Sequence, residues 1–184
     1  MMKEYMKLST GLLIALSYFI FAVFGQLFDI EPGFASPIWP AAGIALAIYI
    51  KYERPSLIWL FIGSFTFGMA YQANMAFATI ASQTLMSLGA IIQVIITKKL
   101  LVRFRLYPVR LDSVNTSFKT LLFAGPIACV IEASIGALAL VTFGLIETSS
   151  IPFIWATWWV GDTMGVLFFF TVALSLIQNS DETE

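Results

Sequence analysis

The chain has 184 residues, of which 59% are hydrophobic and 11% charged, and its formal net charge is −1. Soluble domains carry about a quarter charged residues, so this composition excludes an ordinary soluble domain, and the near-zero net charge does not indicate a nucleic-acid partner. The chain has no histidine and a single cysteine, Cys129, which excludes histidine metal ligands, a phosphorylatable histidine and an intrachain disulfide within these residues.

Long uncharged runs follow one another from the N-terminus. The segment 8–28 has no charge over 21 residues, 32–50 has none over 19 and 55–97 has none over 43. A spanning helix needs about 20 apolar residues, so the pattern predicts an all-α, polytopic membrane bundle. The predicted domain covers 1–178, with an acidic disordered tail over 179–184. Six transmembrane helices are predicted at about 9–28, 36–51, 56–71, 75–97, 120–144 and 152–177.

All ten basic residues fall on one side of this six-helix path. They precede the first helix, lie between the second and third, or lie between the fourth and fifth. The loops on the other side contain Asp29, Glu31 and Glu147 and no basic residue. Because lysine and arginine favour cytoplasmic loops, both termini are predicted to be cytoplasmic.

The sixth predicted helix contains the stretch Ile151–Phe170, which includes the carboxylate Asp162. A charged group at that depth is costly, and it marks either a buried structural bond or a functional site. Gly161 and Gly165 form a small-xxx-small step that lets another backbone approach closely. Pro126, in the first turns of the fifth helix, predicts a kink there.

A second acid, Glu132, lies in the fifth predicted helix at a depth similar to that of Asp162. Helices joined by a short loop are usually neighbours, so the two carboxyls can face each other. Because no basic residue lies inside the membrane to neutralise them, at least one is expected to be protonated at neutral pH, by desolvation or by like-charge repulsion. Asp162 is further expected to hydrogen-bond to Trp, Ser or Gln side chains or to Glu132. Gln83 of the fourth helix lies at a similar depth and can hydrogen-bond inward or serve only in packing.

Four tryptophans are predicted near the same outer interface. An aromatic belt explains such residues, and the alternative is a pocket, because aromatic walls with a few polar groups are typical of small-ligand sites. For Trp155 the belt is the simpler explanation. The predicted ligand-binding or signalling residues are Trp39, Pro40, Gly43, Gln83, Glu132, Trp155, Trp158, Trp159, Asp162 and Gly165.

Two stretches resemble one known family. SPIWPAAGIALAI at the second helix and WWVGDTMGVL in the sixth resemble the bacterial membrane-associated sensor domain of the MASE type, first class. The resemblance covers helices two to six, with fewer helices than is usual for the family. It rests on Trp39, Pro40, Gly43, Ile44, Ala45 and Leu46 in the first stretch and on Trp159, Gly161, Asp162 and Gly165 in the second.

The resemblance implies a non-catalytic input domain of a histidine kinase or diguanylate cyclase in the bacterial inner membrane. Such a domain is expected to sense a small ligand or the state of the membrane through a pocket in its outer half. No output domain follows in these residues, so the chain is expected to be part of a longer protein or a short stand-alone member. The expected partners are the bilayer, a small-molecule ligand and a cytoplasmic output domain, with a second copy of the chain as a further candidate. No nucleic acid, cofactor or metal is expected. The alternative function is a six-helix substrate-capture subunit of a transporter, which length and hydrophobicity fit equally well.

Overall fold

The computed structural model describes residues 6–30 and 36–181, and every element in these ranges is a helix. The all-α prediction is therefore confirmed for this part of the chain. The α-helices are α1 Leu8–Gln26, α2 Pro40–Tyr52, α3 Leu57–Gln72, α4 Phe77–Arg103, α5 Val114–Leu122, α6 Val130–Thr142, α7 Ile151–Gly165 and α8 Thr171–Asp181, with short 3₁₀ turns at Arg54–Ser56 and Thr148–Ser150.

Two π-helical turns join these helices into longer rods. Phe123–Ile127 lies between α5 and α6, and Val166–Phe170 connects α7 to α8. The first turn contains Pro126, which has no N–H to donate to a helical hydrogen bond. At the position of the predicted kink, the structure therefore has a π-helical turn. The second turn contains no proline and was not predicted.

Four helical segments are long and apolar enough to cross a membrane among the described residues: Leu8–Gln26, Phe77–Arg103, Val114–Thr142 and Thr148–Ile177. The 13 residues of α2 and the 16 of α3 are fewer than the roughly 20 that span a bilayer. The count of six spanning helices therefore stays a prediction. The second helix begins at Pro40 instead of residue 36, because proline suits the first turn of a helix.

The chain alternates in direction from rod to rod. Gly11 of α1 packs against Trp59 of α3 and Gly63 packs against Ala15, so these two helices run parallel. The rings of Phe77 and Phe143 meet at 6.2 Å, where α4 begins and α6 ends, so these two run antiparallel. In this arrangement the described basic residues lie at one end of the bundle, called here the basic end.

Helix α2 lies in the middle of the bundle, in contact with α1, α4, α7 and α8. Small residues such as Ala41, Ala45 and Ala47 are almost fully buried along it, and they allow this close packing on several sides. At the basic end, Lys98 of α4 forms an ion pair with Glu53, and this hydrogen bond lowers the pKa of the Glu53 carboxyl. Helix α2, which carries the first of the two motif stretches, therefore packs against neighbouring helices on several sides.

Other boundaries also differ from the sequence prediction, among them the end of α4 at Arg103 instead of residue 97. Helix α5 begins at Val114 rather than near residue 120, because the Ser113 hydroxyl accepts a hydrogen bond from the Thr116 N–H and caps the helix. Helix α8 continues to Asp181, three residues into the tail predicted to be disordered. Lys3, Glu31 and residues 182–184 lie outside the described residues.

Candidate functional site

A cavity of about 90 Å³ opens at the end of the bundle opposite the basic end. It lies between α1, α3, α4, α6 and α7, together with the segment that precedes α2. Its mouth is formed by Gln26, Asp29, Tyr71 and Gln72, its walls by Trp39, Phe67, Met86 and Trp158, and its floor by Tyr18, Ser64, Gln83 and Glu132.

The floor of the cavity is polar and deeply buried. Glu132 is 5% exposed and lies ten residues, or about 15 Å of helix, from the end of α6 at Thr142. The Gln83 amide lies against Gly68 and donates to the Ser64 carbonyl oxygen and the Ser87 hydroxyl, both at 3.2 Å. The floor therefore combines the buried carboxyl group of Glu132 with an amide, Gln83, that is oriented by its own hydrogen bonds.

The walls are aromatic and ordered against one another. The rings of Trp39 and Phe67 meet edge to face at 5.6 Å, and the ring of Tyr71 stacks on Phe67 at 6.0 Å. On the opposite side, the indole of Trp158 packs directly on Gly136 of α6, and a Cβ at Gly136 would overlap the indole ring. A guest in the cavity would contact ring faces and edges.

The mouth carries a second carboxylate. Asp29 accepts a hydrogen bond from the Gln26 amide at 2.6 Å and another from the Tyr71 hydroxyl at 3.4 Å. These contacts join the C-terminal ends of α1 and α3 around the opening.

Behind the Trp39 wall, the two predicted motifs meet in one backbone contact, called here the α2–α7 junction. The Trp39 N–H donates to the Gly161 carbonyl oxygen at 2.9 Å. A Cβ at Gly165 would overlap the Trp39 carbonyl oxygen, and a Cβ at Gly43 would overlap the Gly165 carbonyl oxygen. The close approach predicted for Gly161 and Gly165 is confirmed.

Asp162 is fully buried beside this junction and does not line the cavity. Neither of its carboxylate oxygens has a hydrogen-bond partner among the described residues, so the predicted bonds to Trp, Ser, Gln or Glu132 are wrong. The expected donors are engaged elsewhere. The Trp155 indole donates to Ser134, the Trp159 indole to the Pro126 carbonyl, and the Gln83 amide to Ser64 and Ser87.

The four predicted tryptophans separate into two pairs. Trp39 and Trp158 line the cavity. Trp155 and Trp159 stack on each other at 6.0 Å and bind α7 to α6 through their hydrogen bonds to Ser134 and Pro126 at 3.0 and 2.8 Å. Two tryptophans thus belong to the cavity wall and two to a helix contact.

The structure sorts the remaining predicted residues in the same way. Gln83 and Glu132 lie on the cavity floor, whereas Pro40, Gly43 and Gly165 lie at the α2–α7 junction. A ligand-binding or signalling role for any of them remains a prediction. The described residues contain no cluster of three or more Cys, Asp and Glu side chains able to hold a metal ion.

Sequence reasoning missed several cavity residues. Tyr18 and Ser64 look like ordinary members of apolar helices, and only their single polar atoms distinguish them from their neighbours. Asp29 was predicted only as part of an acidic turn. One feature of the sequence could have indicated the cavity mouth: Gln26, Asp29 and Gln72 are polar residues at the ends of two helices that terminate on the same side of the bundle.

Comparison with known proteins bears on the class of the domain. The searches of curated proteins and of solved structures returned no match. The model of the MASE1 family matches residues 10–183, which is nearly the whole chain. The chain belongs to MASE1, a family of membrane-associated sensor domains.

Proposed function

We propose that this chain is the sensory input domain of a bacterial signalling protein of the histidine kinase or diguanylate cyclase type, and that it binds a small ligand in the cavity. The observation that carries the proposal is the shared position of Trp39, whose side chain lines the cavity while its backbone binds α7 at Gly161. A ligand that moves this side chain acts on a residue bonded to the helix that leads to the C-terminus.

The path from cavity to C-terminus is short and continuous. From the α2–α7 junction, α7 passes through the π turn Val166–Phe170 directly into α8, which runs toward the basic end. A π turn contains one residue more than an α-helical turn, and such turns occur often at functional sites. We propose that ligand binding shifts α8 by changing the packing at this turn, which is a common way to transmit a signal.

The proposed arrangement in the bacterial inner membrane places the cavity mouth toward the periplasm. It rests on the distribution of charge, because the basic residues gather at one end of the bundle and favour the cytoplasmic side. In this topology the chain passes through the membrane six times and both termini are cytoplasmic. α2 then lies in the middle of the bundle and α3 at its side against α1 and α4, and both are shorter than the four longer segments.

A variant that fills the cavity tests the function. A side chain at Gly68 would collide with the Gln83 amide, so Gly68→Leu should occupy part of the cavity. The variant is placed in a fusion of the full chain to a histidine kinase or cyclase output domain, and output activity is measured in membranes. We expect output to be fixed at one level by Gly68→Leu.

Ala70→Leu is the matched control, because Ala70 lies on the same helix but is exposed on the outside of the bundle. It should leave output unchanged. If both folded variants give wild-type output, the cavity is not the sensing site. Transport of a solute into vesicles by the unfused chain would instead favour the substrate-capture alternative, for which family membership offers no support.

A further inference from the structure

The cavity contains a carboxylate that no residue of the described chain neutralises. Glu132 is more than nine-tenths buried, lines the cavity, and has neither a hydrogen-bond nor an ion-pair partner among the described residues. No lysine or arginine of residues 6–30 and 36–181 lies on the cavity surface. The ionised form of a carboxyl group is costly when the group is buried without a partner, and a positively charged guest would supply the counter-charge for that form.

The walls favour the same kind of guest. Trp39, Phe67, Tyr71 and Trp158 line the cavity, and Tyr18 lies on its floor beside Ser64 and Trp39. The faces of aromatic rings attract cations, and aromatic cages are the usual sites for alkylammonium groups. An anionic ligand would be repelled by an ionised carboxylate, and a neutral ligand would pack against the rings without supplying a counter-charge.

The mouth is also acidic rather than basic. Asp29 is held there by Gln26 and Tyr71, so a ligand entering the cavity passes one carboxylate before it reaches another. A cleft of one charge sign raises the local concentration of ions of the opposite sign. The volume of about 90 Å³ restricts the guest to a small molecule.

We infer that the cavity binds a small organic ammonium ion, with its charge at Glu132 and its alkyl groups against Trp39 and Trp158. This inference rests on the proposed function, because it names the ligand class of the same cavity. The ammonium group can belong to a free amine or to a lipid headgroup, and both present the same chemistry to the site.

The test compares a cation with its uncharged isostere. Choline, ethanolamine and 3,3-dimethylbutan-1-ol, in which carbon replaces the choline nitrogen, are titrated into the purified chain in detergent. Binding is followed by tryptophan fluorescence and by the rise in melting temperature. We expect at least one ammonium ion to bind, and the uncharged isostere to bind at least about tenfold more weakly than choline.

Variants of Glu132 test whether this side chain binds the charge of the ammonium ion. Glu132→Gln should weaken ammonium binding at least about tenfold, and Glu132→Asp should restore part of it, with both variants melting near the wild-type temperature. Glu147→Gln is the matched control, because Glu147 lies in the loop after α6 and does not line the cavity. It should leave the affinity unchanged.

Nanodiscs distinguish the two sources. The titration is repeated in phosphatidylglycerol discs with and without phosphatidylethanolamine. If the headgroup is the guest, phosphatidylethanolamine abolishes the binding of soluble amines, whereas a free amine binds equally in both discs.

The inference is overturned if no ammonium ion binds to the wild type, if the isostere matches choline, or if Glu132→Gln keeps full affinity. If Gly68→Leu abolishes binding of an uncharged ligand that matches choline, the cavity is a ligand site of another class and the proposed function stands. If ammonium ions bind through Glu132 but cavity variants leave fusion output unchanged, the cation site stands and the sensory function fails.

Discussion

At the scale of single residues, the two buried acids are in different situations. Glu132 faces the cavity, where a ligand can reach it. Asp162 is sealed beside the α2–α7 junction, and no donor among the described residues contacts either oxygen. Substitution of these two acids is therefore expected to have different effects, which are measured as ligand binding for Glu132 and as stability of the helix packing for Asp162.

Asp162→Asn should leave the fold intact. The substitution keeps the shape and removes an ionisable group that has no hydrogen-bond partner among the described residues, so it should not lower the melting temperature in detergent. Asp162→Leu should also fold, because no hydrogen-bond partner among those residues is left unsatisfied. A fall of more than about 5 °C for both variants, which corresponds to about 1–2.5 kcal/mol in a chain of this length, would show that the carboxylate has a structural partner.

At the scale of elements, the α2–α7 junction brings the backbones of two helices into direct contact. A methyl group at Gly165 would overlap the Trp39 carbonyl oxygen, and backbone cannot move aside as a flexible side chain can. Gly165→Ala should therefore destabilise the chain by about 1–3 kcal/mol, measured as loss of melting temperature or of folded protein in detergent.

Gly125→Ala serves as the matched control for this prediction. Gly125 is also a buried glycine, but a Cβ there would meet its nearest neighbour, Thr163, at an ordinary 3.5 Å. This variant should stay within about 1 kcal/mol of the wild type. Equal melting of the two variants would contradict the close approach of α2 and α7.

The sequence anticipated the helices better than their relation to one another. Uncharged runs place α1 and the beginning of α4 to within two residues, because a bilayer demands length and apolar composition. The π turn Val166–Phe170 has no proline to signal it, and it lies where α7 packs against α2. The sequence also could not predict which tryptophans line the cavity and which contact α6. The three tryptophans of α7 look alike in the sequence, and only the helices that each one meets in the fold distinguish them.

At the scale of the whole molecule, the two ends of the helical bundle differ. One end carries the basic residues, and the cavity opens at the other. Reporter fusions test this polarity. Alkaline phosphatase joined after Arg105 should be inactive, because the basic end is expected in the cytoplasm, and the same reporter after Glu147 should be active in the periplasm. Activity of the fusion at Arg105 would contradict both the six-helix path and the access of periplasmic ligands to the cavity.

The cavity, the junction and α8 also make one connected structure, and this connection is the basis of the proposed signalling. Trp39 belongs to the cavity wall and to the junction, and α8 follows the junction after a single π turn. Of the cavity floor, the sequence predicted Gln83 and Glu132 but not Tyr18 and Ser64, since which helices face one another at that depth depends on the folded bundle.

The most direct test measures the distance between α8 and α4 when the cavity is filled. Spin labels are attached at exposed positions, Ser175→Cys on α8 and Lys99→Cys on α4, in a chain in which the buried Cys129 is replaced by alanine. Pulsed electron resonance then compares this protein with its Gly68→Leu and Ala70→Leu variants. We predict that Gly68→Leu shifts the mean distance by about 1–2 Å and that Ala70→Leu does not. Identical distance distributions in all three folded proteins would contradict the coupling of the cavity to α8.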